Sequence, residues 1–196
     1  MQTEAPFAAF VDRDGVINAD FGHVHRIEDF NLLPGAVKGL RLLVSKGYQP
    51  VVVTNQAGIA KGLYTEADYL VLTQHMVKML AARGAIVRAV YHCPHHPDGA
   101  VQQYAITCTC RKPGPGLLLQ AAREHQFDLT NSVMIGDKIS DVMAGRAAGV
   151  GQTVLVASGY GRHHDALHHA DHHAADLSAA AQWVRPAPNF AISEKQ

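Results

Sequence analysis

Phe7-Ala8-Ala9-Phe10-Val11-Asp12-Arg13-Asp14-Gly15-Val16-Ile17-Asn18 is the stretch on which the reading of this chain turns. Its apolar run predicts a buried parallel strand. The run ends in two aspartates one residue apart, followed by glycine. Open α/β sheets gather their ligands at the carboxyl ends of the strands, which is where these aspartates fall. Side chains at i and i+2 of an extended segment point the same way. Two carboxylates so placed repel unless a cation or a proton separates them. Taken alone, the stretch also reads as a polar turn after a strand, because Asp and Gly are ordinary turn formers. The rest of the chain decides between the two.

The chain has 196 residues, 47% hydrophobic and 17% charged. That length suits a single domain spanning 1–196 with a core that needs no staples. Lys+Arg and Asp+Glu balance at 17 each, so neither a nucleic acid nor an anionic membrane surface is an expected partner. The first residues carry no basic and apolar signal segment, and no apolar run approaches the ~18 residues of a membrane span. A cytoplasmic monomer is expected. The three cysteines, Cys93, Cys108 and Cys110, are a poor disulfide framework and a better metal set.

Strand and helix patterns alternate along the chain. After the first strand, Asp20 to Phe30 reads as a loop. Val37, Leu40, Leu43 and Val44 fall at helical spacing. Gln49 to Gln56 reads as a second buried strand ending in Thr54, Asn55 and Gln56. Gly58 and Gly62 predict a loose loop beyond it, and Thr65-Glu66-Ala67-Asp68 predicts a capped helix start. Ile86 to Tyr91 reads as the third strand. From His92 to Cys110 there is no period, although a structureless loop of that length is awkward in a compact domain. Helices are then expected from Leu117 to His125, Ser140 to Ala148 and Leu177 to Val184. Strands are expected at Val133 to Asp137, ending in a carboxylate, and at Val154 to Val156. Such alternation predicts an α/β, Rossmann-like parallel sheet with helices on both faces.

Parallel strands bring their carboxyl ends to one edge. Asp12 and Asp14, Thr54 and Asn55, Arg111 and Lys112, and Asp137 and Asp141 can therefore converge. A carboxylate nucleophile can form an aspartyl-phosphate. A second carboxylate can serve as general acid and then general base. Lysine neutralises a phosphoryl group as a point charge. Asp12 with Asp137 can hold Mg2+, a hard cation that binds through one or two carboxylates plus phosphate oxygens. Together these are the parts of a phosphoryl-transfer site.

The wording and order of these pieces resemble the haloacid dehalogenase-like phosphatases. The resemblance rests on Asp12-Arg13-Asp14-Gly15, the Thr54-Asn55-Gln56 strand end, Arg111-Lys112-Pro113 and Gly136-Asp137-Lys138-Ile139-Ser140-Asp141. Within that class the chain is similar to the D-glycero-D-manno-heptose-1,7-bisphosphate 7-phosphatase family. Asp12-Arg13-Asp14-Gly15-Val16-Ile17-Asn18, Thr54-Asn55-Gln56-Ala57-Gly58-Ile59-Ala60-Lys61-Gly62, Cys93-Pro94-His95-His96-Pro97 and Cys108-Thr109-Cys110-Arg111-Lys112-Pro113 carry this finer likeness, which runs from Phe7 to Val156. Lys61, where the family has Arg, and Ala57, where Ser is common, are its small departures. The resemblance implies a Mg2+-dependent phosphatase that removes the C7 phosphate of the heptose bisphosphate, in the synthesis of activated heptose for lipopolysaccharide core. It implies Asp12 as nucleophile, Asp14 as acid and then base, and Thr54 and Lys112 holding the phosphoryl group. It implies Mg2+ on Asp12, the Asp14 carbonyl and Asp137. Arg111, with Asp20, Phe21, Gly22 and His23, is implied in substrate recognition, and Asn55, Gln56 and Lys138 are further substrate-side candidates. Asp141 reads as a loop-fixing group or as a helix N-terminal carboxylate favoured by the helix dipole.

Cys93, His95, Cys108 and Cys110 make a Cys3His set, the donor set of a closed structural zinc site. His92 and His96 are close neighbours, and His95 is the position the resemblance selects. Such a Zn2+ loop, about 92–110, would support the aperiodic stretch and place Arg111. With only loop insertions available, the resemblance predicts a minimal cap and an open site. The histidines of 162–173 read as a solvated, Ala-rich segment. Histidinol-phosphate phosphatase, or another small sugar-phosphate phosphatase, is the nearest rival, because that sister family shares the zinc loop. A non-catalytic sugar-phosphate binder on the same fold would not need both Asp12 and Asp14.

Overall fold

The computed structural model describes residues 5–159 and 169–188. The opening apolar run forms β1 (Phe7–Val11), and β2 (Tyr48–Asn55), β3 (Ala89–Cys93), β4 (Val133–Gly136), β5 (Gln152–Val156) and β6 (His172–Ala174) complete one sheet. All neighbouring strands run parallel, in the order β3-β2-β1-β4-β5-β6. The helices are α1 (Ala36–Ser45), α2 (Ala57–Ala60), α3 (Glu66–Ala81), α4 (Gly116–His125), α5 (Ile139–Ala148) and α6 (Leu177–Trp183).

The period of two in β1 divides the core. Ala9 and Val11 pack with Leu40, Leu43, Leu72, Met76 and Leu177, from α1, α3 and α6. Ala8 and Phe10 pack on the opposite face with Leu117, Leu118, Ala121 and Ala144, from α4 and α5. Burying each large apolar side chain stabilises the fold by roughly 1.5–3 kcal/mol. A strand buried on both faces can therefore be apolar throughout, as β1 is. The chain winds outward from β1 in one direction and from β4 in the other. A crevice consequently opens at the carboxyl ends of β1 and β4. The Asp12 N–H donates to the Ile135 carbonyl at 3.0 Å, which fixes the first aspartate at that crevice.

Two expectations are corrected. The stretch expected to be a loose loop after β2 is the helix α2, with all four residues buried. Its Gly58 is there for space, because a Cβ would lie 2.1 Å from Tyr64 Cε1. The third strand begins at Ala89, leaving Ile86 66% exposed. It pairs Val51 with Ala89 and Asn55 with Cys93, so it runs further toward the carboxyl edge than its apolar residues suggest. The histidine tract, read as solvated surface, has its described part exposed or half-buried and ends in a strand that its sequence did not predict. His172 and His173 open β6, an edge strand whose Ala174 is buried. Three residues are too few to show a strand period. The remainder of the tract, 162–168, lies outside the described residues. The capped helix start is as read: Thr65 Oγ1 accepts from the Asp68 N–H and the Asp68 carboxylate accepts from the Thr65 N–H.

Candidate active site

Strand ends and loops converge on an open cleft of about 600 Å3. Asp12, Asp14, Thr54, Asn55, Gln56, Arg111, Lys112 and Lys138 line it, with Asp20, Gly22 and His23 from the loop after β1. Phe21 lies outside this lining, with 72% of its surface exposed.

Lys112 is the hub. It is 3% exposed, and its Nζ lies 2.9 Å from Asp12 Oδ1 and 2.7 Å from Asp141 Oδ1. Nζ also donates to the Val53 carbonyl at 2.7 Å. Burial disfavours its charged form, but the two carboxylates outweigh burial and raise its pKa. Asn55 fixes the backbone that carries this lysine. Its Nδ2 donates to the Lys112 carbonyl at 2.9 Å, and its Oδ1 accepts from the Lys112 N–H at 3.0 Å. Asp141 is committed similarly. Its Oδ2 accepts from the Lys138 N–H at the start of α5, so it is both a helix-terminal carboxylate and a loop-fixing one.

Burial pushes the Asp12 carboxyl up to about 7; Lys112 counters this, while Asp141, Asp137 and Asp14 add to the rise. The site is thus short of positive charge. Asp12, Asp137 and Asp141 each offer a carboxylate oxygen within 4.8 Å of the others. Asp137 is cradled by two glycines: a Cβ on Gly15 would lie 2.4 Å from its Oδ2, and one on Gly159 2.1 Å. Gly15 also takes φ +84°, in the left-handed region. An oxygen-rich, charge-deficient cluster of this kind suits a hard divalent cation such as Mg2+.

Asp14 is held on several sides. Arg13, 1% exposed, donates to both of its carboxylate oxygens, with Nη2 at 2.9 and 2.8 Å. Asn18 Nδ2 donates to Oδ1 and Gln56 Nε2 to Oδ2, each at 3.0 Å. Burial works against the Arg13 guanidinium, but the adjacent Asp14 raises its pKa. Lys138 Nζ meets Asp20 Oδ2 at 3.3 Å, which ties the loop after β1 to the start of α5. His23 sits beside Lys61 at the cleft; burial first and then that lysine lower its pKa. Arg13, Asn18 and Tyr64 are functional neighbours the sequence did not single out. Only their adjacency to motif residues could have flagged the first two.

Beside the cleft, Cys93, His95, Cys108 and Cys110 bring their donor atoms within 4.8 Å of one another. Cys110 Sγ is 3.2 Å from both Cys93 Sγ and Cys108 Sγ, and 3.4 Å from His95 Nδ1. These spacings are too long for a disulfide bond of about 2.05 Å. They approach the edges of a tetrahedron built on zinc–sulfur bonds of about 2.3 Å. Arg111 Nη1 donates to the His95 carbonyl at 3.2 Å, which joins this cluster to the cleft.

A hydrolase-like family model described as HAD-hydrolase-like matches residues 109–180. Site and match together define the class, a haloacid dehalogenase-like phosphatase. A D-glycero-beta-D-manno-heptose-1,7-bisphosphate 7-phosphatase of Yersinia pestis is 48% identical over 157 residues, 80% of this chain and 84% of that one. A D-glycero-alpha-D-manno-heptose-1,7-bisphosphate 7-phosphatase of Photorhabdus laumondii is 41% identical, over 82% of this chain and 87% of its own. Among solved structures, the D,D-heptose 1,7-bisphosphate phosphatase of B. bronchiseptica, complexed with magnesium and phosphate, superposes with a TM-score of 0.78. It is 32% identical and is covered over 96% of its length by 90% of this chain. The chain belongs to the D-glycero-D-manno-heptose-1,7-bisphosphate 7-phosphatase family.

Proposed function

We propose that this protein, a single catalytic domain, hydrolyses the C7 phosphate of D-glycero-D-manno-heptose 1,7-bisphosphate, leaving the anomeric phosphate in place. The product feeds synthesis of ADP-heptose for lipopolysaccharide core. The observation that carries this reading is the buried Lys112 bridging Asp12 and Asp141 at the strand crevice, in a chain 48% identical to a named heptose-bisphosphate phosphatase.

Asp12 Oδ1 already accepts from the Arg13 N–H and pairs with Lys112, so Oδ2 is the oxygen that attacks phosphorus. The phosphorus–oxygen bond to C7 breaks, and the leaving oxygen takes a proton from Asp14. Asp12 then carries the phosphoryl group as an acyl phosphate. Asp14, now ionised, takes a proton from water as the water attacks phosphorus and frees Asp12. Lys112 and Thr54 hold the phosphoryl oxygens through both steps. Arg111, Lys138, Asp20, Gly22 and His23 form the sugar side of the cleft, with the exposed Phe21 beside it. Asn55 and Gln56 act mainly by positioning the groups beside them. Asp12, the Asp14 carbonyl and Asp137 would hold Mg2+, which keeps Asp12 anionic and neutralises charge on the phosphoryl oxygens. The Cys3His set is a structural Zn2+ site that stiffens the loop carrying Arg111.

Phosphate release from heptose 1,7-bisphosphate and from histidinol phosphate, side by side with Mg2+, tests the reading. We expect strong preference for the heptose ester, with the anomeric phosphate retained by phosphorus NMR. Equal or faster turnover of histidinol phosphate would overturn the assignment.

A further inference from the structure

We infer that Tyr64 and Gln56 form a positioning pair that locks Asp14 to Thr54, fixing the proton donor relative to the phosphoryl-holding hydroxyl. This rests on the role proposed above for Asp14.

Gln56 is 2% exposed and its amide is in contact at both ends. Nε2 donates to Asp14 Oδ2 at 3.0 Å and to Thr54 Oγ1 at 2.8 Å. Oε1 accepts from the Tyr64 hydroxyl at 2.7 Å. An amide has two N–H donors at one end and only acceptor capacity at the other. With its nitrogen outward, the two hydrogens serve Asp14 and Thr54. Flipped, its oxygen would face the Asp14 carboxylate, an acceptor against an acceptor. The Tyr64 O–H selects the first orientation, since its hydrogen needs an acceptor. Burial raises the Tyr64 pKa, so the phenol keeps that hydrogen through the working range.

Among the described residues, Arg13 and Asn18 also hold Asp14, but both belong to the same turn as Asp14. Gln56 reaches it from the end of β2, and by the same nitrogen reaches Thr54. It therefore sets the distance between two strand ends, which the other partners cannot do. Tyr64 in turn is seated with little freedom. It is 6% exposed, its ring stacks on His25 at 4.8 Å between centroids, and it lies against Gly58, where no Cβ could fit.

A proton donor matters for a sugar alkoxide and little for an aryl leaving group, which departs as an anion. The test is single-turnover phosphorylation of the Mg2+-loaded protein by two esters, heptose 1,7-bisphosphate and p-nitrophenyl phosphate. Tyr64→Phe keeps the ring and removes one hydrogen bond. We expect about a tenfold loss for the sugar ester, the equivalent of one hydrogen bond near the top of its usual range. The p-nitrophenolate burst should stay within about twofold, with KM for the sugar ester little changed. Gly58→Ala, which displaces the Tyr64 ring, should give the same split. The double variant Tyr64→Phe/Gln56→Ala should be no slower than Gln56→Ala alone, because Tyr64 acts through Gln56. Equal losses with both esters, no loss, or additive losses in the double variant would overturn the inference. Asp14→Asn separates this from failure of the underlying role. If Asp14→Asn fails to slow the sugar ester selectively, the acid assignment is wrong and the inference falls with it. If Asp14→Asn discriminates and Tyr64→Phe does not, only the inference fails.

Discussion

Asn55→Ala separates a residue that positions lysine from one that binds sugar. Asn55 makes two hydrogen bonds to the Lys112 backbone, at 2.9 and 3.0 Å. Each contributes about 1 kcal/mol net, so the variant should lose about 2 kcal/mol of stability. For a chain of this size, 1 kcal/mol shifts Tm by roughly 2–4 °C, which predicts a fall of about 4–8 °C. Lys112 would stay charged but lose its fixed place between Asp12 and Asp141. A displacement near 1 Å at a reacting centre costs roughly a hundredfold in rate, so kcat should drop 10- to 100-fold. Thermal melts and steady-state kinetics on the heptose ester measure both. Asn55→Asp keeps the acceptor for the Lys112 N–H but turns an acceptor toward its carbonyl, and should be no better than Ala. An unchanged Tm with a raised KM and unaltered kcat would refute the positioning argument and make Asn55 a substrate contact.

Gly15→Ala would place a methyl 2.4 Å from Asp137 Oδ2 at φ +84°, so Mg2+ affinity measured by calorimetry should weaken at least about tenfold; unchanged affinity would remove Asp137 from the metal set. Metal analysis should find about one zinc per chain, and Cys110→Ala should lower zinc content and Tm together; full zinc content in that variant would contradict the Cys3His assignment. Burial tends to raise the Asp171 carboxyl, but Thr153 and Arg146 outweigh it and hold the group below its usual range. A depressed folded pKa means a stabilising contribution that is present above the ordinary Asp value of about 3.9 and lost as pH falls below it. Asp171→Asn should therefore be less stable than the parent at pH 7 in urea melts, with the gap closing toward pH 3; a gap independent of pH would contradict this.

The fold was legible because its signals are local and repeated. Ala8 to Val11, Val51 to Val53 and Val133 to Ile135 are apolar on both faces, as only the middle of a covered parallel sheet requires. The convergence of Asp12, Thr54, Lys112 and Asp137 then follows from parallel strands sharing one edge. What stayed hidden depends on contacts distant in sequence. β6 is three residues long, and its place is set by pairing with β5. The helix at Ala57–Ala60 contains a glycine because Tyr64 needs the room, which spacing cannot reveal. Asn55 and Gln56 look like ligands at a strand end, and only the structure shows their amides engaged by Lys112, Asp14, Thr54 and Tyr64. The cysteines signalled a cluster by crowding, while their common centre depends on the loop folding back on Cys93.

In the proposed mechanism Asp12 takes the phosphoryl group and Asp14 moves the proton. Rapid acid quench of the Mg2+-loaded protein turning over heptose bisphosphate, followed by peptide mass spectrometry, tests it most directly. A phosphoryl adduct is expected on the peptide containing Asp12, absent in Asp12→Asn together with turnover. Continued turnover in Asp12→Asn, or an adduct on another residue, would contradict it.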